Sequence, residues 1–254
     1  MNSVGEIYNY INEIAPFDTA LSFDNVGLLI GDRNISVSKV MLALDITKSV
    51  CNEAKNLGAN LIISHHPVIF KPLKNISFDS VITTLIKNDI SAICAHTNLD
   101  IAEKGVNFQL AEKLGLSELS NLTFEENHPI GLIGYLATEM GAKSFAELVK
   151  KNLDCKGVRY TAVNDKVKKV AVCSGSGGSF VESAYEKSAD AFVVGEIKHS
   201  DILKANEMGL NIVDTGHYKS ENVIIEPLKN MLSEKFQNVQ FFTSKSFSDD
   251  VNYL

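Results

Sequence analysis

Two adjacent histidines stand directly after an apolar run. Residues 61–74 have the sequence LIISHHPVIFKPLK, in which four residues typical of a buried strand precede His65 and His66. We predict that the strand ends at this pair, because Pro67 cannot donate to a strand ladder. Functional side chains of α/β proteins gather at strand ends, and imidazole nitrogens bind transition metals. The alternative interpretation is a terminated strand with two surface histidines.

Two further strand ends carry similar side chains. The segment DISAICAHTNLD, residues 89–100, opens from an apolar run into a loop with His96 and Asp100. The segment LNIVDTGHYKSENVIIEPL, residues 210–228, leads from a predicted strand into a helix with His217 and Glu221. Residues four apart share one face of a helix, so this pair can reach the same metal or bridge two. An ordinary surface contact is the alternative for this pair.

The three strand ends together predict a dinuclear metal site. Its ligands are His65, His66, Asp100, His217 and Glu221. Five ligands are too many for one catalytic metal, whereas two metals sharing a carboxylate use all five and leave positions for water. Mixed nitrogen and oxygen donors suit two divalent ions of zinc, iron, manganese, cobalt or nickel. We assign the neighbouring His96 a catalytic role, in orienting a ligand or transferring protons.

Weaker features surround this set. The turn from Gly175 to Ser179 follows a predicted strand, and its backbone amides could cradle a phosphate. It lacks the third glycine of a dinucleotide fingerprint, so a tight strand-to-helix connection is the alternative. Glu196 and His199 follow another strand end and are predicted to line the same cleft. Lys71 and Lys74 are placed to meet an anionic substrate, or simply form a solvated face.

Alternating strand and helix patterns predict an α/β protein with largely parallel or mixed sheets flanked by helices. The predicted strands are residues 40–44, 61–64, 91–95, 170–173, 191–194 and 211–214. The predicted helices are residues 48–57, 80–87, 106–114, 144–153, 180–187 and 202–208. Several helices end at a glycine, as Gly58, Gly115 and Gly209 indicate.

A polar, acidic stretch at residues 116–129 has weak periodicity and is predicted to be a boundary between two α/β domains. The first domain would comprise residues 1–124 and 209–254 and would carry the metal ligands. The second would comprise residues 125–208. The metal site is expected in the cleft between them.

Composition narrows the class of protein. The chain has 254 residues, 45% of them apolar and 22% charged, which is typical of a globular protein. A formal charge of −7 argues against non-specific nucleic-acid binding. The apolar runs are too short to cross a bilayer, and the N-terminus has no basic, apolar leader, so a cytoplasmic location is expected. The four widely spaced cysteines are predicted to be reduced core thiols.

Beyond these residues, the chain resembles the GTP cyclohydrolase 1 type 2 homologue family, also called the NIF-three-like family. The resemblance runs almost end to end and rests on six motifs: FDNVGLLIGD at 23–32, SHHPVIF at 64–70, AHTNLD at 95–100, GSGG at 175–178, GEIKHSD at 195–201 and GHYKSE at 216–221. Many relatives have a second histidine where Ser200 stands here.

The resemblance implies more than the residues do. His66 and Asp100 would bind one metal, His65 and His217 the other, and Glu221 would bridge both. It also implies a ring-shaped homohexamer of two-domain subunits with the metal sites facing an internal cavity. The chain is similar to the short form of the family, without the extra domain that some relatives insert.

Three functional hypotheses follow. The first is a metal-dependent hydrolase in which an acidified water attacks an electrophilic carbon of a heterocycle, with GTP suggested by the family name. The second is a protein that stores, delivers or senses metal without turnover. The third is an interaction scaffold whose metals brace the fold.

Overall fold

The computed structural model of the protein describes residues 2–246, 248–249, 251–252 and 254. The chain forms two compact units. The first comprises Met1–Ala102 and Ile225–Ser248, and the second comprises Glu103–Ile224 and Asp249–Leu254. Among the described residues, no helix is long and apolar enough to cross a membrane.

Strands and helices alternate along much of the described chain. The strands are β1 (Asn2–Ser3), β2 (Gly27–Ile30), β3 (Ser36–Val37), β4 (Lys39–Ala43), β5 (Leu61–Ser64), β6 (Ser91–Cys94), β7 (Ser117–Glu125), β8 (His128–Met140), β9 (Arg159–Tyr160), β10 (Val167–Cys173), β11 (Ala191–Val194), β12 (Asn211–Asp214) and β13 (Gln240–Thr243). The α-helices are α1 (Val4–Ile14), α2 (Lys48–Leu57), α3 (Val81–Lys87), α4 (Thr97–Ile101), α5 (Val106–Lys113), α6 (Ala142–Asn152), α7 (Val181–Glu186), α8 (His199–Glu207), α9 (His217–Glu221) and α10 (Ile225–Lys235).

The first unit is built on a five-stranded sheet in the order β13-β4-β5-β6-β2. Its central strands β4, β5 and β6 are parallel, and β2 is antiparallel at one edge. Every residue of β5 and β6 is buried, which explains why their sequences are continuous apolar runs rather than alternating ones. The parallel register brings the carboxyl ends of β5 and β6 side by side.

The second unit is built on a six-stranded sheet in the order β7-β8-β10-β11-β12-β9. Strands β10, β11 and β12 are parallel, and the remaining pairs are antiparallel. Phe145 of α6 and Phe192 of β11 are among its largest fully buried side chains. The prediction of an α/β protein with mixed sheets flanked by helices is confirmed.

The predicted boundary at residues 116–129 was wrong. This stretch contains β7 and the start of β8, which form a hairpin. Its two-residue turn, Glu126 and Asn127, has φ values of 50° and 68°. A turn of this kind matches the right-handed twist of the strands. The polar sequence that suggested a linker is that of a mostly exposed edge strand.

The two units also differ in extent from the predicted domains. The chain passes between units after Ala102 and after Ile224, not near residues 124 and 208. The reason at the second crossing is strand pairing, because Asn211–Asp214 extends the second sheet in parallel with β11. His217 and Glu221 therefore belong to the second unit, whereas His65 and His66 belong to the first.

The four cysteines are free thiols, and all are buried, as predicted. Burial raises the pKa of Cys51 and of Cys155 to about 11 and raises that of Cys94 well above its usual range. The helix ends also agree with the sequence. Gly58, Gly115 and Gly209 each have positive φ, the conformation that closes a helix.

Candidate metal centre

His65 and His66 lie at the carboxyl end of β5, where the ladder with β4 continues for two residues. The N–H of His65 donates to the carbonyl of Ala43, and that of His66 donates to the carbonyl of Leu44. The Ser64 hydroxyl donates to the carbonyl of His66, 2.7 Å away, and fixes the turn. The backbone of both histidines is therefore held by the sheet, although Pro67 ends the strand.

His96 joins this pair from the end of β6. Its ring centroid lies 5.1 Å from that of His65 and 5.4 Å from that of His66. One ring nitrogen of each of the three imidazoles lies within 4.8 Å of the others, close enough to hold one metal ion. His65 is buried, whereas His66 and His96 are partly exposed. The three side chains form what we call the histidine cluster.

Each imidazole of the histidine cluster uses Nδ1 for a hydrogen-bond contact. His65 Nδ1 lies 2.9 Å from the carbonyl oxygen of Ala95, and His66 Nδ1 lies 2.9 Å from Oδ1 of Asp45. His96 Nδ1 lies 2.9 Å from Oδ1 of Asp24. Metal-binding histidines are commonly held this way, because an acceptor at one ring nitrogen fixes the tautomer and leaves the other nitrogen for the metal.

Asp24 is a residue of the candidate site that the sequence reasoning missed. Its carboxylate accepts hydrogen bonds from the N–H and the hydroxyl of Thr97 in addition to contacting His96. Burial alone would raise the pKa of Asp24, but the hydrogen bonds from His96 and Thr97 and the nearby imidazole lower it to about 2. It lies within the motif FDNVGLLIGD, so the available signal was the family resemblance.

Asp100 projects from α4, the short helix that begins after His96. The side chain of Asn98 accepts a hydrogen bond from the N–H of His96 and so ties the start of this helix to the cluster. Asp100 Oδ1 lies 3.6 Å from Nε2 of His65. The first unit therefore brings together three of the five predicted ligands, His65, His66 and Asp100, and adds His96.

The other two predicted ligands lie together in the second unit. After β12 the chain passes through Gly216, which has a φ of 81°, and enters α9, the helix that carries His217 and Glu221. His217 Nε2 lies 3.0 Å from Oε2 of Glu221, and its Nδ1 lies 3.3 Å from Oε1 of Glu196. Glu221 is buried, whereas His217 is partly exposed. Glu196, predicted to line the cleft, is thus a neighbour of His217.

The turn from Gly175 to Ser179 packs against this helix. Ser220 accepts a hydrogen bond from the N–H of Gly175 and donates one to the carbonyl of His217. A Cβ at Gly175 would lie 2.3 Å from Oε1 of Glu221, so only glycine allows this close approach. The turn therefore has a structural role in supporting α9.

A cleft of about 490 Å³ opens beside the same turn. Its lining residues are Arg159, Ser176, Gly178, Ser179, Glu196, Ile197, Lys198 and Asp201. Cations and carboxylates are balanced here, and Arg159 is already paired with Asp214. Phosphate binding at this turn stays a prediction.

The remaining predicted site residues lie elsewhere in the chain. His199 is the first residue of α8, and Lys71 and Lys74 are exposed after β5.

The donor chemistry of these residues fits divalent transition metals. Three imidazoles and one carboxylate gather in the first unit, and one imidazole and two carboxylates gather in the second. Nitrogen and carboxylate oxygen donors suit zinc, iron, manganese, cobalt and nickel. A cluster of side chains that could hold a metal ion is therefore present, at the strand ends where the sequence predicted the ligands.

Comparison with known proteins agrees with the fold. The profile of the DUF34/NIF3 family (NGG1p interacting factor 3) matches residues 2–250. A Clostridium perfringens protein named GTP cyclohydrolase 1 type 2 homolog is 36% identical, over 99% of this chain and 99% of its own length. The solved structure of a Bacillus cereus protein related to NIF3 has a TM-score of 0.93 at 30% identity, covering 99% of both chains. Reduced HcgD from Methanocaldococcus jannaschii has a TM-score of 0.82 at 31% identity, covering 96% and 98%.

Proposed function

Because the chain belongs to the DUF34/NIF3 family, we propose that it is a dinuclear metal-dependent hydrolase that opens a ring of GTP or of a related heterocycle. The observation that carries this proposal is the hydrogen bonding of the histidine cluster. All three imidazoles have an acceptor at Nδ1, so all three can present Nε2 to a metal or a substrate. Surface histidines of a terminated strand have no need of such support.

The proposed ligands are the five that the sequence indicated. His66 and Asp100 would hold one ion, His65 and His217 the other, and Glu221 would bridge the two. This assignment is an inference from the family resemblance. The ions, when bound, would acidify a water molecule and polarise the bond to be broken.

The side chains of the protein then have distinct tasks. In the ring opening, the water oxygen adds to the ring carbon and the ring nitrogen departs with a proton. His96 Nε2 is the proposed site of proton transfer, because Asp24 holds Nδ1 of the same ring. Asp45 and the carbonyl of Ala95 orient the rings of His66 and His65. Glu196 orients His217 in the same way.

The first test combines elemental analysis with a GTP-consumption assay on the same purified samples. We expect close to two transition-metal ions per chain, and we expect His217→Ala to lose metal and GTP turnover together. His128→Ala is the matched control, because His128 begins β8 and pairs with Glu125 of the β7–β8 hairpin, and the variant should keep both metal and turnover.

The outcomes separate the hypotheses. Two ions per chain without GTP turnover would favour metal storage, delivery or sensing, or another substrate. A chain that binds no metal after reconstitution with zinc, iron or manganese would contradict the metal site itself.

The assembly is a second proposal that rests on the resemblance. We infer a homohexamer, and sedimentation equilibrium should give six times the mass of the chain. A monomer at working concentrations would contradict it.

A further inference from the structure

Two exposed phenylalanines stand beside the histidine cluster. The side chain of Phe23 is 58% exposed and that of Phe70 is 44% exposed, although both are large and apolar. Their ring centroids lie 6.3 Å apart, and the ring of Phe70 lies 6.4 Å from that of His96. Neighbouring apolar rings left in water next to a polar site often mark a binding surface.

The backbone beneath the two rings is fixed. The side-chain amide of Asn25 donates a hydrogen bond to the carbonyl of Ile69, which joins the residues that follow Phe23 to those that precede Phe70. Between Phe23 and Asn25, Asp24 is held by His96 and Thr97. The backbone that carries both rings is thus pre-organised, which reduces the entropy lost when a ligand binds.

The ring geometry limits what can bind. The two phenylalanine rings are tilted by 59° to each other, so they do not form a parallel slot that could hold a flat ring between them. Both side chains are largely exposed, so each offers ring surface on which a flat ring can stack. Lys71 and Lys74 follow directly in the chain and are exposed, which favours a ligand with an anionic substituent.

We propose that Phe23 and Phe70 form a stacking platform that binds the planar heteroaromatic ring of the substrate beside the histidine cluster. This inference rests on the proposed function, because it names the residues that position the ring to be opened. A planar heteroaromatic ring gains dispersion and quadrupole attraction over its whole face, whereas a sugar or an aliphatic amide has no π-face to stack on such a platform.

The test is the binding of 2-aminopurine riboside, a fluorescent planar heterocycle without phosphate, to the full-length chain. The chain contains no tryptophan, so the protein adds little fluorescence of its own. Stacking quenches the probe. We expect Phe70→Ala to raise the dissociation constant roughly tenfold or more, the usual effect of losing one stacked ring. Phe70→Tyr should bind as the unmodified chain does, and Phe70→Leu should bind like Phe70→Ala.

Phe78→Ala is the matched control. Phe78 is 90% exposed in the same loop, but its ring lies near Lys87 of α3. We expect this variant to bind the probe normally. Equal binding by Phe70→Ala and the unmodified chain, or no binding by the unmodified chain, would overturn the platform.

Two further measurements distinguish failure of the stacking platform from failure of the proposed hydrolase function. If Phe70→Ala changes the sedimentation coefficient but not probe binding, a second copy of the chain covers the rings and the inference is wrong. The probe assay needs no turnover. Suppose that Phe70→Ala has no effect on probe binding but the unmodified chain still contains metal and consumes GTP. That result would contradict the stacking platform and not the proposed hydrolase.

Discussion

At the scale of single residues, His96 has two possible roles, as a proton-transfer group and as a metal ligand. It lies in the histidine cluster, but the proposed ligand set omits it. We expect His96→Gln to lower GTP consumption about a hundredfold, the usual effect of losing a proton-transfer group. Metal content should stay that of the unmodified chain.

Elemental analysis beside the kinetic assay checks this expectation, with His128→Gln as the control for removing a partly exposed imidazole elsewhere. If His96→Gln loses one ion as well as activity, His96 is a ligand and the proposed division of roles fails.

The cysteines offer a second residue-scale prediction. Thiol reagents act on the thiolate, and the pKa of Cys51, Cys94 and Cys155 is raised by burial. We expect a chromogenic disulfide reagent at neutral pH to modify no cysteine of the native chain within minutes and all four after unfolding in guanidinium. Rapid reaction of one thiol in the native chain would show that its surroundings open readily.

At the scale of elements, the Gly175 turn should be more sensitive than other glycine turns. Gly175→Ala adds the cost of a positive φ and a clash with Glu221. Gly115→Ala is the matched control, because its φ is +73° and a Cβ there meets nothing within 4 Å. We expect the control to lose about 1 kcal/mol of unfolding free energy and Gly175→Ala to lose more.

Denaturant unfolding measures both variants, and metal content is measured in parallel. Gly175→Ala should bind less metal, because its Cβ displaces Glu221, whereas Gly115→Ala should bind the normal amount. Equal stabilities would show that α9 can shift without cost.

Glu53 gives the end of β13 a pH-dependent attachment to α2. Burial would raise the pKa of Glu53, but hydrogen bonds from Ser244, Lys245 and Ser246 outweigh it and lower the pKa. A carboxyl with a lowered pKa in the folded state contributes stability above its unfolded pKa, and the contribution disappears as the pH falls through the folded value.

We therefore expect Glu53→Gln to be less stable than the unmodified chain at neutral pH. The difference should shrink as the pH falls below the ordinary range of a glutamate. Denaturant unfolding at several pH values checks this, with Glu13→Gln, for which the structure gives no such set of hydrogen bonds, as the control. A difference that does not change with pH would rule out the carboxylate as the cause.

The strands that lead into the candidate site could be predicted, because β5, β6, β11 and β12 are short apolar runs bounded by polar residues. β7 could not, since most of its residues are exposed and its sequence resembles a loop. Asp24 escaped prediction for a different reason. Its role depends on His96, 72 residues further along the chain, and such a contact exists only after folding.

At the scale of the whole molecule, the two units differ in whether the strands of their sheet come from one continuous stretch of chain. Glu103–Ile224 includes all six strands of the second sheet, whereas the first sheet needs β13 from near the C-terminus. We expect a fragment of residues 103–224 to unfold cooperatively in denaturant and a fragment of residues 1–102 to do so poorly. Circular dichroism during denaturant titration tests both, and cooperative unfolding of residues 1–102 would contradict the importance of β13.

The position of β13 also bears on synthesis. As the chain leaves the ribosome, His65, His66 and His96 emerge long before Gln240–Thr243, the strand that borders β4. By the time Asp214 has emerged, the second sheet has every strand it needs. A ribosome that stops shortly before Gln240 would therefore release a chain with a complete second sheet and an open edge at β4, which invites pairing with other nascent chains.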